Sequence, residues 1–282
     1  MELLADHSKW RALDVPNAQR VVSELALPER FTLAKVRQYR SGMAIATFHD
    51  AQSGLDFNLI PGGEYMKGLS ETEARDASAI PNCRADILRE LPSARPISVE
   101  PFLITQTPLQ YSFVAAHVQL DGNVFRPEFG DSESDPVPIY MRRDELLPLM
   151  VRFDFALPTE DQMEFAIRGG SQTLFYFGST LPDRATLANE ILVTVLDEAT
   201  LNDPAKANPF GIYSSLIGCW CEDRFETSAA SVRDGGYVVK GGGAIFWPWQ
   251  SGEEWMLCMS AMRMSSKELE DETCAAFGVI PL

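Results

Sequence analysis

Hydrophobic and polar positions change their spacing near residue 48. Before that point, apolar residues from Leu25 to Val36 interrupt a polar background at helical spacing. We therefore predict helices from residue 1 to about 45. The change in pattern also suggests a domain boundary, with a helical N-terminal extension at residues 1–47 and a second domain at residues 48–282.

The second region begins with short runs that alternate apolar and polar residues. Residues 48–68 predict two strands joined by a turn at residues 61–63 (PGG). Residues 97–104 (ISVEPFLI) predict a further strand. These strands are short, as is typical of a domain with several small sheets rather than one long sheet.

Helical spacing returns at three places in this region. Residues 109–118 and 143–153 each predict a helix, and a third helix should begin after Thr159 and end at Gly169-Gly170. After Phe175 the pattern is one of short strands, turns and long loops. A few helices beside many irregular segments predict an α+β domain.

Composition and charge narrow the choice of partners. The 282 residues are 45% hydrophobic, which is enough for a large core, and the formal net charge is −16. An acidic chain repels phosphate backbones, so we expect no nucleic-acid partner. The charge, which includes an acidic loop at residues 121–138, either serves solubility or steers the chain toward a basic partner.

The sequence also suggests a compartment. Residues 1–10 lack the basic and apolar regions of a secretory signal, and no apolar run approaches the ~18 residues of a membrane span. The odd number of cysteines fits free thiols in a reducing cytoplasm. The cysteines are Cys83, Cys219, Cys221, Cys258 and Cys274.

Six segments, in order, resemble the formylglycine-generating enzyme (sulfatase-modifying factor) family. The most specific is residues 157–170 (LPTEDQMEFAIRGG), where the family has a Leu-Pro-Thr-Glu turn, an aromatic-rich helix and Arg-Gly-Gly. The other five are residues 57–68 (FNLIPGGEYMKG), 101–115 (PFLITQTPLQYSFVA), 175–178 (FYFG), 208–223 (NPFGIYSSLIGCWCED) and 239–243 (VKGGG). The resemblance implies a loop-rich fold related to C-type lectins over residues 48–282.

The chain departs from this family at the catalytic centre. Aerobic members bind copper(I) through two cysteines, and an ungapped count places those positions on Phe246 and Ser251, neither of which can be a thiolate. The resemblance therefore implies a pseudoenzyme. Alternatively, Cys219, Cys221 and Cys258 form a rearranged copper site, or they are buried as small apolar residues.

The resemblance also implies calcium sites. At the first, keeping Trp220 in register places Gly218 and Cys221 where the family has oxygen ligands, so no ion is expected there. At the second, Asn189 and Glu190 are candidate calcium ligands, although Asn189 could instead cap a turn. The three histidines share no helical spacing, so we do not expect an iron site.

An aromatic cluster stands where the family has its substrate groove. Phe246, Trp247, Trp249 and Trp255 are candidate ligand-binding residues, because large aromatic side chains are enriched at binding hot spots. They could instead fill the vacated cavity, although Pro248 favours an extended, partly exposed loop.

Two functions follow from these residues. The first is a non-catalytic binding module that engages a protein or a small ligand through the aromatic groove, as C-type-lectin-like relatives, including variable proteins of diversity-generating retroelements, bind other proteins. The second is a metal-dependent oxidase with the rearranged cysteine site. Calcium is a candidate cofactor under either function, and copper only under the second.

Overall fold

The structure is a computed structural model that describes residues 2–40, 42–119, 136–226, 235–269 and 272–282. Nearly all of the predicted acidic loop at residues 121–138 lies outside these ranges. Among the described residues, no helix has the length and apolar content needed to cross a lipid bilayer.

The strands are short and pair antiparallel. They are β1 (Phe31–Gln38), β2 (Ala44–Asp50), β3 (Asp56–Ile60), β4 (Gly63–Lys67), β5 (Arg95–Val99), β6 (Phe102–Thr105), β7 (Met141–Arg142), β8 (Cys219–Arg224), β9 (Tyr237–Lys240), β10 (Arg263–Ser265), β11 (Thr273–Cys274) and β12 (Val279–Pro281). The largest sheet has the order β1-β2-β3-β6-β12, and a three-stranded sheet has the order β10-β9-β8. Two-stranded sheets join β11 to β7 and β4 to β5.

The helices are also short. They are α1 (His7–Arg11), α2 (Val15–Ser23), α3 (Glu71–Ser78), α4 (Ala85–Glu90), α5 (Tyr111–Ala115), α6 (Arg143–Arg152), α7 (Glu160–Arg168), α8 (Arg184–Thr186) and α9 (Glu198–Asn202). A π-helical turn at Leu187–Ile191 continues α8, and 3₁₀ turns lie at Pro204–Lys206, Glu254–Cys258 and Ser266–Glu268. Helices beside several small antiparallel sheets confirm a mixed α+β architecture.

Helix α7 has the ends that the sequence predicts. The Thr159 hydroxyl accepts a hydrogen bond from the amide of Gln162 (3.1 Å), and the Gln162 side chain accepts one from the amide of Thr159 (3.0 Å), which forms a capping box. At the other end Gly169 has a φ of +57°, and a Cβ there would lie 2.7 Å from Pro209. Glycine therefore suits both the left-handed backbone and the close contact.

The helical prediction for the first 45 residues is only partly right. α1 and α2 are helices, but Phe31–Gln38 is strand β1, paired with β2 at the edge of the large sheet. The pairing register shifts between Leu33 and Lys35, which interrupts the strict alternation of a strand. Leu33 and Val36 are therefore three positions apart within a strand, and this spacing resembles that of a helix.

The first residues pack on the same core as the rest of the chain. The His7 amide donates to the Gly62 carbonyl (2.7 Å), and the buried Trp10 indole donates to the Ala44 carbonyl (2.8 Å). Arg11 donates to the Gly170 carbonyl (3.1 Å). The boundary that we placed at residue 47 falls inside β2.

Two other strand predictions differ in detail. β3 and β4 flank the predicted turn, but β3 pairs with β2 and β6, whereas β4 pairs with β5. The single strand predicted at residues 97–104 is two strands, β5 and β6, separated by Glu100 and Pro101. Proline lacks the amide needed to continue a ladder, which accounts for the break.

A buried ionic network joins α7 to β9. Glu164 Oε2 lies 2.8 Å from Lys240 Nζ, and Glu164 Oε1 lies 3.0 Å from Arg168 Nε. Arg168 also contacts Glu73 at 2.8 Å, and Gly68 donates its amide to Glu164 at 2.7 Å. The network fixes the end of β9, from which the candidate site begins.

Candidate functional site

Three glycines lead the chain from β9 to the candidate site. Gly241 has a φ of +81°, and a Cβ there would lie 2.6 Å from the carbonyl oxygen of Ile217. The Gly242 amide donates to the Leu216 carbonyl at 2.9 Å. This tight crossing, which glycine alone permits, brings the following residues to the surface.

The aromatic residues that follow form a partly exposed cluster. Phe246 is 45% exposed, and Trp247 and Trp249 are half-buried. The two indole rings meet edge to face with centroids 5.1 Å apart, and the Trp249 indole donates to the Gly243 carbonyl at 3.0 Å. We call Phe246, Trp247 and Trp249 the aromatic surface. Its tryptophans are held by neighbours within the chain while part of the cluster faces solvent.

Trp255 does not belong to this surface. Its side chain is buried, donates from its indole nitrogen to the Pro81 carbonyl (3.0 Å) and packs edge to face on Phe175, with centroids 6.1 Å apart. We therefore assign Trp255 to the core and correct the expectation that it binds a ligand. Trp255 lies in a 3₁₀ turn that directs it inward, which proximity in sequence to Trp249 did not reveal.

The two positions that correspond to the family's cysteines lie in or beside this loop. Phe246 is in the aromatic surface, and Ser251 is an exposed residue whose amide donates to Glu254 Oε1 at 2.9 Å. The Glu254 carboxylate also accepts from the amides of Gln250 and Gly252 at 3.0 and 2.8 Å. Desolvation raises the pKa of Glu254, but these hydrogen bonds outweigh it and lower that pKa to about 2.

The candidate copper ligands are enclosed in the core. Cys219, Cys221 and Cys258 are free and fully buried. Burial raises the pKa of Cys221, as does a hydrogen bond with Cys219, and burial also raises the pKa of Cys258. Copper(I) is bound by thiolates, which this environment disfavours. Within the part of the chain that the structure describes, no group of three or more His, Cys, Asp or Glu side chains is placed to hold a metal ion.

The two candidate calcium ligands have different surroundings. Asn189 lies in the π-helical turn and lines a cleft, whereas the Glu190 carboxylate lies 3.2 Å from the Arg40 guanidinium. At the other calcium position, Trp220 is buried and donates from its indole to the Met141 carbonyl at 2.9 Å. Glu190 is therefore engaged by Arg40 and is not among the residues that line the cleft with Asn189.

The cleft beside Asn189 has a volume of about 340 Å³ and lies between the π-helical turn and the loop that carries the aromatic surface. Its apolar lining includes Leu192, Val193, Ala244 and Trp247. Trp247 thus belongs to the aromatic surface and also lines the cleft. Small-molecule sites typically measure about 300–1,000 Å³ and combine apolar walls with a few polar groups.

The polar lining of the cleft includes one carboxylate and one ammonium. Asp197 accepts a hydrogen bond from the Thr200 amide at 2.8 Å, which lowers the Asp197 pKa. Lys206, at the end of a 3₁₀ turn, is half-buried, and its ammonium has no ion-pair or hydrogen-bond partner among the described residues. Sequence reasoning missed Lys206, because a single lysine in a loop matches no motif.

We compared the chain with protein families, curated proteins and solved structures. No protein-family model matches the chain, and no curated protein matches it. Among solved structures, the chain is similar to Treponema denticola variable protein 1, with a TM-score of 0.46 and 15% sequence identity. The match covers 81% of this chain and 96% of that chain.

Proposed function

We propose that this chain is a non-catalytic binding module with a formylglycine-generating-enzyme-like fold, and that it engages a protein partner through the aromatic surface. The observation that carries the proposal is the position of Phe246, Trp247 and Trp249, which lie together at the surface. Trp249 is hydrogen-bonded to Gly243 and both tryptophans contact each other, so little side-chain freedom remains to be lost on binding. Ordered aromatic side chains of this kind are enriched at binding hot spots.

The proposed fold is supported by contacts between segments that carry the family resemblance. Glu164 belongs to the segment LPTEDQMEFAIRGG, and Lys240 belongs to VKGGG, and their side chains meet in the buried network. Two segments that resemble the same family, and that are far apart in sequence, are therefore in contact in the structure. The capping of α7 by Thr159 and Gly169 is consistent with the same proposal.

The absence of the family's oxidase activity follows from Phe246 and Ser251, which have no thiol. The alternative oxidase depends on Cys219, Cys221 and Cys258, whose burial opposes formation of thiolates. Copper that copurifies in stoichiometric amount and is lost in Cys221→Ser would favour the oxidase over the binding module.

We infer the charge of the partner from the net charge of the whole chain and not from the carboxylates next to the aromatic surface. Glu253 lies 3.2 Å from the Arg84 guanidinium, and Glu254 is occupied by backbone amides. These carboxylates stabilise the loop, so we assign them no role in contact with the partner. The net charge of −16 would still attract a basic protein at long range and repel nucleic acids. A cytoplasmic location remains a prediction.

The proposal is tested by affinity capture from the source organism with the wild-type chain and the double variant Phe246→Ala/Trp249→Ala. Val151→Ala is the matched control, because Val151 is an apolar residue 73% exposed on α6, outside the aromatic surface. A protein retained by the wild type and the control but not by the double variant would support the proposal. Equal retention by all three proteins would contradict it.

A further inference from the structure

The cleft beside Trp247 carries a charged group that the proposed partner surface does not use. Lys206 lines the cleft, whose wall is divided about equally between polar and apolar surface. We propose that the cleft binds a small organic carboxylate with an apolar body, and that Lys206 binds the carboxylate group.

The size and apolar lining determine the body of the ligand. The volume of about 340 Å³ is at the lower end of the range for small-molecule sites. Trp247 contributes an indole ring to the cleft wall, and Val193 and Ala244 are apolar residues of the same wall. A phenyl ring or a short branched alkyl group would replace water along these side chains.

The charge determines the other end of the ligand. No described carboxylate lies within 4.0 Å of the Lys206 ammonium, and that side chain is half-buried. The charge of a half-buried ammonium is less screened than that of one in bulk water, so its attraction for an anion is stronger. A carboxylate would also accept its hydrogen bonds, which no described protein group does.

Asp197 does not reverse this preference. Its Oδ1 accepts the amide hydrogen bond of Thr200 at 2.8 Å, as the cap of α9, and its carboxylate is exposed to water. Hydrogen bonds and hydration therefore reduce its effect on a ligand. The Lys206 charge further lowers the Asp197 pKa, which shows that the two groups are electrostatically linked without being an ion pair.

The inference goes beyond the proposed function and shares one residue with it. Trp247 lines the cleft and also belongs to the aromatic surface, whereas Phe246 and Trp249 do not line the cleft. A small carboxylate could therefore bind whether or not a protein occupies the aromatic surface. The variant Phe246→Ala separates the two proposals, because it should weaken binding of the partner and leave binding of the carboxylate unchanged.

The test uses the full chain and three probes with the same apolar body: 3-phenylpropanoate, 3-phenylpropanamide and 3-phenylpropylamine. Binding is measured by isothermal titration and by the fluorescence of the tryptophans. We expect 3-phenylpropanoate to bind at least about tenfold more tightly than the neutral amide, and the amine to bind most weakly, because only the carboxylate forms a charge-assisted hydrogen bond with Lys206.

The decisive variant is Lys206→Met, which keeps an unbranched apolar stem and removes the charge. It should abolish the preference for the carboxylate over the amide, whereas Lys9→Met, at an exposed lysine of α1, should leave it unchanged. Unchanged circular dichroism would show that both variants fold. The proposal is overturned if the three probes bind equally, if the amine binds best, if none binds, or if Lys206→Met keeps the preference.

Discussion

Lys240 Nζ lies 2.8 Å from Glu164 Oε2, and both side chains are buried. Desolvation raises the pKa of Glu164, but the charges of Lys240 and Arg168 outweigh it and hold that pKa below its ordinary value. The Glu164 carboxylate therefore stays ionised inside the core. The ion pair joins α7 to β9, the strand that precedes the loop with the aromatic surface. The geometry of the candidate site therefore depends on a contact in the core.

Removing one member of this pair should be costly. Lys240→Met leaves the Glu164 carboxylate buried with fewer positive partners, and we expect it to lower the free energy of unfolding by about 3 kcal/mol. The control Lys267→Met disrupts an exposed ion pair with Glu272 and should cost less than about 1 kcal/mol. Urea denaturation of both variants checks this, and equal losses would mean that the buried pair has no special role.

Acid should weaken the attachment of α1. Burial, followed by the nearby Arg11 charge, lowers the pKa of His7, although Asp6 acts in the opposite direction. The neutral imidazole packs edge to face on Phe165, with centroids 5.4 Å apart. Because the unfolded chain takes up the proton more readily, this contribution to stability is complete above about pH 6.5 and is lost as the pH falls through the lowered pKa.

The free energy of unfolding, measured from about pH 8 to about pH 5, tests this dependence. In His7→Gln, the free energy of unfolding should decrease less at acidic pH than it does in the wild type. His49→Gln is the control, because His49 is an exposed residue beside Asp56 and does not contact α1. A decline of the same steepness in His7→Gln and the wild type would contradict the role given to His7.

Sequence patterns predicted the positions of helices and strands better than they predicted which strands pair. The caps at Thr159 and Gly169 predicted α7 correctly, since a capping box and a left-handed glycine are local features. The pairing of β3 with β6 was not predictable in this way, because it joins segments about 45 positions apart. β1 was missed because the bulge after Leu33 hides the alternation of the strand.

The sequence likewise predicted only some features of the candidate site. The sequence indicated that Pro248 keeps its neighbours in an extended loop, and the structure places Phe246 at the surface. It did not indicate that Trp255 points into the core, because the direction of a side chain in a 3₁₀ turn depends on packing. Lys206 lies in a 3₁₀ turn distant in sequence from Trp247, so only the tertiary structure brings both residues to the same cleft.

The purified protein should not convert a Cys-x-Pro-x-Arg peptide to formylglycine, with or without copper(I). Phe246 and Ser251 offer no thiolate to bind copper at the positions that the family resemblance indicates. Mass spectrometry of the peptide would detect the loss of the thiol and the gain of the aldehyde. Copper-dependent, time-dependent conversion would show that another set of residues performs the reaction.

Calcium should leave the melting temperature unchanged relative to a chelator. Glu190 is paired with Arg40, and in the cleft that Asn189 lines the charge of Lys206 offsets that of Asp197, so no excess negative charge is available to a divalent cation. Differential scanning calorimetry with and without calcium measures the effect. A clear increase in melting temperature that disappears in Asn189→Ala would instead support the calcium site that the family resemblance implies.

The central claim is that the aromatic surface binds a protein, and its most direct test is the affinity of the captured partner for Trp249→Ala. We expect the dissociation constant to rise roughly 30-fold, which corresponds to a hot-spot loss of about 2 kcal/mol, while Val151→Ala binds as the wild type does. The melting temperature should change little, because Trp249 is only half-buried and lies in a loop. Wild-type affinity in folded Trp249→Ala, confirmed for Phe246→Ala, would contradict the account and place the interface elsewhere.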